Sequence, residues 1–145
     1  MSWILIANRT GARIVEKNGR DLSLVRELSH SRGRLRDRDV DTDRQGRSFD
    51  RVGAARHALD ASESAHEHDA RAFARELAEA LRQGRLESRY ERLTLVAEPH
   101  FLGLVRDALD DVTARLVGAT LPKDLAHIEL RELAAHLPEL PQPVV

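Results

Sequence analysis

Apolar and polar positions divide the chain into short strand-like runs, a long charged stretch and three helix-like stretches. Trp3 to Ala7 is continuously apolar, Thr10-Gly11 supplies a turn, and Ala12 to Lys17 continues with Ile14 and Val15. Asn18-Gly19 marks a two-residue hairpin, because both residue types tolerate the positive φ that such turns require. Leu22, Leu24 and Leu28 then alternate with Ser23, Glu27 and Ser29, as in a strand with one buried face. These runs predict an antiparallel meander of three strands.

Residues 30 to 60 show no sustained period and predict a long charged loop. Ser64 followed by Glu67 matches a capping box, with Asp60 and Ser62 as competing caps. The stripe Ala70, Phe73, Ala74, Leu77 and Leu81 predicts a helix that Gly84 closes. Leu93 to Ala97 suits a strand buried on both faces. Pro99 opens a helix carrying Phe101, Leu102, Val105 and Leu109, and Val112 and Leu116 extend its stripe. Within it Phe101 and Leu102 read as core, and Gly103 as a point of close helix–sheet packing. Residues 116 to 121 predict a last strand, and Leu130, Leu133, Ala134 and Leu137 a short terminal helix. The expected order is β-β-β-α-β-α-β-α. With right-handed crossovers this gives an α/β fold: a three-layer, ribonuclease H-like mixed sheet of five strands with helices on its faces. Residues 1–137 are expected to form one domain, and 138–145, with Pro138, Pro141 and Pro143, an extended tail.

Composition narrows the function. A chain of 145 residues with 41% hydrophobic and 32% charged residues is expected to bury a real core, filled by aliphatics because aromatics are only 3%. The formal net charge of −1 gives no bulk attraction to nucleic acid, so such binding needs a local patch. Without cysteine there is no disulfide, thiolate metal site or cysteine nucleophile. The run WILIA lacks a basic leader and is too short to span a membrane, which predicts a cytoplasmic protein.

Five segments carry a family likeness: HSRGRLRDRDVDTDRQGRSFD, RHALD, HEHDARAFARELAEAL, RLTLVAEPHFLGLVRDAL and PKDLAHI. Together, and in this order, they resemble the bacterial host-attachment protein family over nearly the whole chain. The family's name implies a role in attachment to host cells, which for a cytoplasmic protein would be indirect. A more distant likeness to the central domain of archaeal and eukaryotic peptide-chain release factors implies a ribonuclease H-like fold and a role at the ribosome or on RNA. The glycine-glycine-glutamine tripeptide of release factors is absent, so peptidyl-tRNA hydrolysis by that route is disfavoured. Neither likeness transfers a catalytic residue.

The candidate chemistry centres on the charged stretch. Across residues 30 to 60 eight arginines and six aspartates nearly cancel, so part of this loop is expected to pair with itself. Gly46-Arg47-Ser48 is its best anion-facing part: glycine admits close backbone approach, arginine offers a fork, and serine adds a hydroxyl donor. Arg36, Arg38 and Arg44 are further contacts, with Leu35, Val40, Phe49 and Val52 as apolar anchors. If the parallel strands end together, Glu98, His100 and Lys123 meet at the carboxyl edge of the sheet, where open α/β sheets bind ligands. A metal-dependent nuclease would need converging carboxylates. The first strand instead ends at Asn8, Glu98 stands alone, and Asp37, Asp39, Asp41 and Asp43 are interleaved with arginines.

In His66-Glu67-His68-Asp69 the histidines project about 200° apart on a helix, which disfavours a shared ion and fits a first-turn acidic segment. His57 is a remaining partner for His66 if the loop brings it close. Ser48 lacks the setting of a nucleophile elbow. No cofactor motif is present. The expected function is a non-enzymatic domain that binds RNA, the ribosome or a protein partner. The alternative is a metal-dependent phosphoester hydrolase or nuclease.

Overall fold

A computed structural model describes residues 1–30 and 52–136, without the side chains of 52–63. The strands β1 (Ser2–Ala7), β2 (Gly11–Asn18) and β3 (Asp21–Ser29) form the expected antiparallel meander. β4 (Arg92–Ala97) pairs in parallel with β1, and β5 (Val117–Leu121) in parallel with β4. The result is a mixed five-stranded sheet in the order β3-β2-β1-β4-β5.

Strand alternation sends the apolar run of β1 to both faces. Trp3, Leu5 and Ala7 join Ile14, Leu93 and Leu95 on one side, while Ile4 and Ile6 join Val15 and Val96 on the other. The first side is covered by α1 (Val52–Leu86) and α2 (Pro99–Ala108), through Phe73, Leu77, Leu81, Phe101 and Val105. The second side receives Leu125 and then Leu133 of α4 (Leu130–His136). Helices therefore lie on both faces of the sheet.

Several local expectations are corrected. α1 begins at Val52, not at the Ser64 capping box, so residues 52–60 are helix rather than loop. Ala54, Ala55, Ala58, Ala61 and Ala65 explain this: alanine has the highest helix propensity, and it outweighs the capping tendency of Asp60, Ser62 and Ser64. At 35 residues α1 is about 50 Å long. Gly84 lies inside it rather than closing it. The stop is at Ser88, in the left-handed region at φ 57°, where Ser88 N–H donates to Arg85 O (2.9 Å) and Arg89 N–H to Gly84 O (2.8 Å). That bond pair is a Schellman motif built on serine instead of glycine.

In the first hairpin only Gly19 has positive φ (64°), and Asn18 still pairs with Asp21. The turn is thus Gly19-Arg20, with the pattern of a II′ turn. β3 does not keep one buried face. A bulge at Val25 shifts the register, so Leu22 packs on one side of the sheet, Val25 and Leu28 pack on the other, and Leu24 is left half exposed. The helix after Pro99 ends at Ala108, because Leu109 turns extended and Asp110 caps a separate one-turn helix, α3 (Asp111–Arg115). Its cap is Asp110 accepting from the Thr113 hydroxyl at 2.5 Å and from Thr113 N–H at 3.4 Å.

Candidate functional site

β1 and β4 end at Ala7 and Ala97, and β5 at Leu121, so Asn8, Glu98 and residues 122–127 follow at one edge of the sheet. Glu98 and Asn8 both have local assignments there. Glu98 is the N-cap of α2: Oε1 accepts from Phe101 N–H at 2.6 Å and Oε2 from His100 N–H at 3.1 Å. Pro99 follows at the first helical position, where its missing N–H costs nothing. The His100 ring turns to α1, placing Nε2 at 2.8 Å from Glu67 Oε2, and Arg71 approaches the same carboxylate at 3.4 Å. The hydrogen bond from His100 holds the Glu67 carboxyl below its ordinary range. Burial opposes this, while the charges of His100 and Arg71 reinforce it.

Asn8 closes the β1–β2 turn. Its Oδ1 accepts from Thr10 N–H (2.9 Å), the Thr10 hydroxyl (3.0 Å) and Gly11 N–H (3.0 Å). Its Nδ2 lies 3.3 Å from His127 Nε2. An amide nitrogen only donates, so His127 Nε2 is the acceptor in this contact.

Behind the turn is a cavity of about 410 Å³, lined by Asn8, Thr10, Arg13, Glu27, Ser29 and His127, with Gly11, Ala12, Leu28 and Ala126 between them. Arg13 and Glu27 are register partners across β2 and β3. Arg13 Nη2 donates to Leu125 O at 3.1 Å, which ties the segment before α4 to the sheet. At the rim, His30 N–H donates to Thr10 O at 3.0 Å. The His30 ring is buried and stacks on Phe73 of α1 at 5.1 Å between centroids.

Arg36, Arg38, Arg44, Gly46, Arg47 and Ser48 lie outside the described residues, as does the His57 side chain. At the carboxyl edge Glu98 accepts from the backbone N–H of His100, whose ring turns away to Glu67. Lys123 is at the same edge, with its N–H bonded to Leu121 O at 2.9 Å. His57 and His66 both fall within α1 rather than on a loop and a helix, and the His57 side chain lies outside the described residues. Glu67 and Asp69 are mid-helix rather than first-turn residues, and Asp69 is buried at 3% exposure. Among the described residues no group of three or more His, Asp or Glu side chains is placed to hold a metal ion.

Sequence reasoning missed Arg13, Glu27, His30 and His127. A charged residue inside the apolar run Ala12-Arg13-Ile14-Val15 was the one available signal for the cavity.

The family described as protein required for attachment to host cells matches residues 3–137. The chain belongs to this family. The host-attachment match runs from β1 to the end of α4 and so includes the cavity, the Glu98 cap and the Arg/Asp segment. No curated protein matches the chain. Among the described residues no helix is long and apolar enough to cross a membrane.

Proposed function

We propose that this host-attachment chain is a non-enzymatic, cytoplasmic domain that binds RNA, at the ribosome or free, and affects attachment indirectly. Residues 1–137 act as one domain in this reading. Phosphates are met by Arg36, Arg38, Arg44 and Arg47, with Gly46 and Ser48 flanking Arg47 and Lys123 at the sheet edge. The observation that carries the reading is the bond from His30 to Thr10. It holds His30, the residue that precedes the arginine-rich segment in sequence, at Thr10, which lines the cavity at the sheet edge where α/β folds bind ligands, and this supports the reading. Strand order β3-β2-β1-β4-β5, a meander followed by parallel crossovers, supports a ribonuclease H-like assignment and with it the release-factor likeness.

The same topology would suit a metal-dependent phosphoester hydrolase or nuclease. Two observations weigh against that alternative: both oxygens of Glu98 serve the cap of α2, and Asn8 Oδ1 already accepts three hydrogen bonds. Co-sedimentation with ribosomes and with total RNA over a salt series tests the reading. Binding should weaken steeply as salt rises and be lost in Arg36→Ala/Arg38→Ala/Arg47→Ala. No binding at low salt sinks the proposal, and salt-insensitive binding to a protein component would replace RNA with a protein partner.

A further inference from the structure

The cavity contains two opposite charges that do not meet. Arg13 lies on β2 beside the core residues Ile14 and Val15. One guanidinium nitrogen is anchored to Leu125 O, while Nε is buried without a hydrogen bond. Among the described residues no carboxylate comes within ion-pair distance of it. A partly buried cation without an anion is costly, since desolvation removes hydration that a single carbonyl only partly replaces. Glu27, its cross-strand partner, lines the same cavity and makes no ion pair among the described residues. Opposite charges facing each other across strands ordinarily gain by pairing, so a cavity that keeps them apart suits a ligand that satisfies both.

Size and chemistry specify that ligand. A volume of about 410 Å³ is within the range of small-molecule sites and far beyond what a lone oxyanion fills. A guanidinium matches a phosphate by charge, and a carboxylate is a recurrent acceptor for ribose hydroxyls. Cross-strand Cβ atoms stand about 5 Å apart, a separation that one sugar phosphate bridges. We propose that the cavity binds the ribose 5-phosphate part of a nucleotide, with the phosphate on Arg13 and the ribose hydroxyls on Glu27. Ser29 and Thr10 add hydroxyls to the wall, and His127 closes the opposite side. The lining contains no Phe, Tyr or Trp on which a base would stack, so the identity of the base is not read. A free mononucleotide satisfies the site, and the proposal is independent of the arginines between residues 36 and 47.

Isothermal titration of the full chain with 5′-AMP, 5′-CMP, ribose 5-phosphate, adenosine and inorganic phosphate tests it. The first three should bind with similar affinity, and the last two about tenfold more weakly or worse, because each lacks one charge-assisted contact. Arg13→Gln should weaken 5′-AMP about tenfold or more. Glu27→Gln, which keeps an acceptor oxygen but loses the charge, should reduce the preference for 5′-AMP over its 2′-deoxy analogue. Arg13 also anchors Leu125, so circular dichroism checks the fold of that variant, and the exposed Glu27 gives an independent readout. The proposal is overturned by absence of saturable 5′-AMP binding at millimolar concentration, by equal affinity for inorganic phosphate, or by unchanged behaviour in Glu27→Gln.

Discussion

Two glycines, both inside helices, carry opposite meanings. A Cβ at Gly84 would overlap the Trp3 ring, 2.5 Å from Cη2 and 3.1 Å from Tyr90 Cε1, whereas a Cβ at Gly103 meets nothing within 4 Å. The neighbours at Gly84 cannot yield cheaply. Trp3 is buried and stacked on Tyr90 at 4.8 Å, and the Tyr90 hydroxyl donates to Leu81 O at 2.6 Å. Alanine in a helix ordinarily gains about 1 kcal/mol over glycine, while overpacking a rigid site costs about 1–3 kcal/mol. Gly84→Ala is therefore expected to destabilise the chain, and Gly103→Ala to stabilise it by about 0.5–1 kcal/mol. Urea unfolding followed by the fluorescence of the single tryptophan measures both. A stabilised Gly84→Ala would refute the close approach. Sequence alone reads Gly84 as a helix stop and Gly103 as the close approach, because a glycine does not announce which neighbour it admits.

At the scale of elements, what could be read was whatever local periodicity encodes. Five strands, the helix through Phe73 and the helix opened by Pro99 follow from apolar spacing that burial enforces. Breaks and starts were harder, since they are decided by competition between neighbours: alanine propensity against Ser64, or Asp110 as a cap against continuation of α2. Glu98 shows how an element end can imitate a site. Its place beyond a buried parallel strand suggests chemistry, yet its oxygens satisfy the first N–H groups of α2. Glu98→Ala should cost about 1 kcal/mol of stability, and Glu98→Asp should recover most of that, because aspartate is a good cap. Thermal denaturation of the two variants checks this. If Glu98→Ala unfolds at the wild-type temperature, the cap is not what holds the helix end.

Over the whole molecule the edge of the sheet was foreseeable, but the cavity was not. The hairpin register set by Asn18 and Asp21 would put Arg26 opposite Arg13, and only the bulge at Val25 replaces that like charge with Glu27. A bulge is a tertiary compromise and leaves no mark in the alternation of β3. The charges between helices have a global consequence as well. Glu67 on α1 accepts from His100 of α2, and Asp110 before α3 meets Arg85 of α1 at 3.3 Å. Asp110 is held below the ordinary carboxyl range chiefly by the Thr113 hydroxyl, with Arg85 adding to the effect and burial opposing it. Both carboxyls release their protons more readily folded than unfolded. Their contribution is thus complete above the ordinary Asp and Glu values and is lost as pH falls through the lowered folded ones. Glu67→Gln/Asp110→Asn should be less stable than wild type at neutral pH and lose less on acidification. Asparagine caps as well as aspartate, so the helix start of α3 survives and the charge alone is removed. Denaturant unfolding from neutral pH down through the carboxylate range provides the comparison, and parallel curves for the two proteins would show that these pairs do not couple the helices to pH.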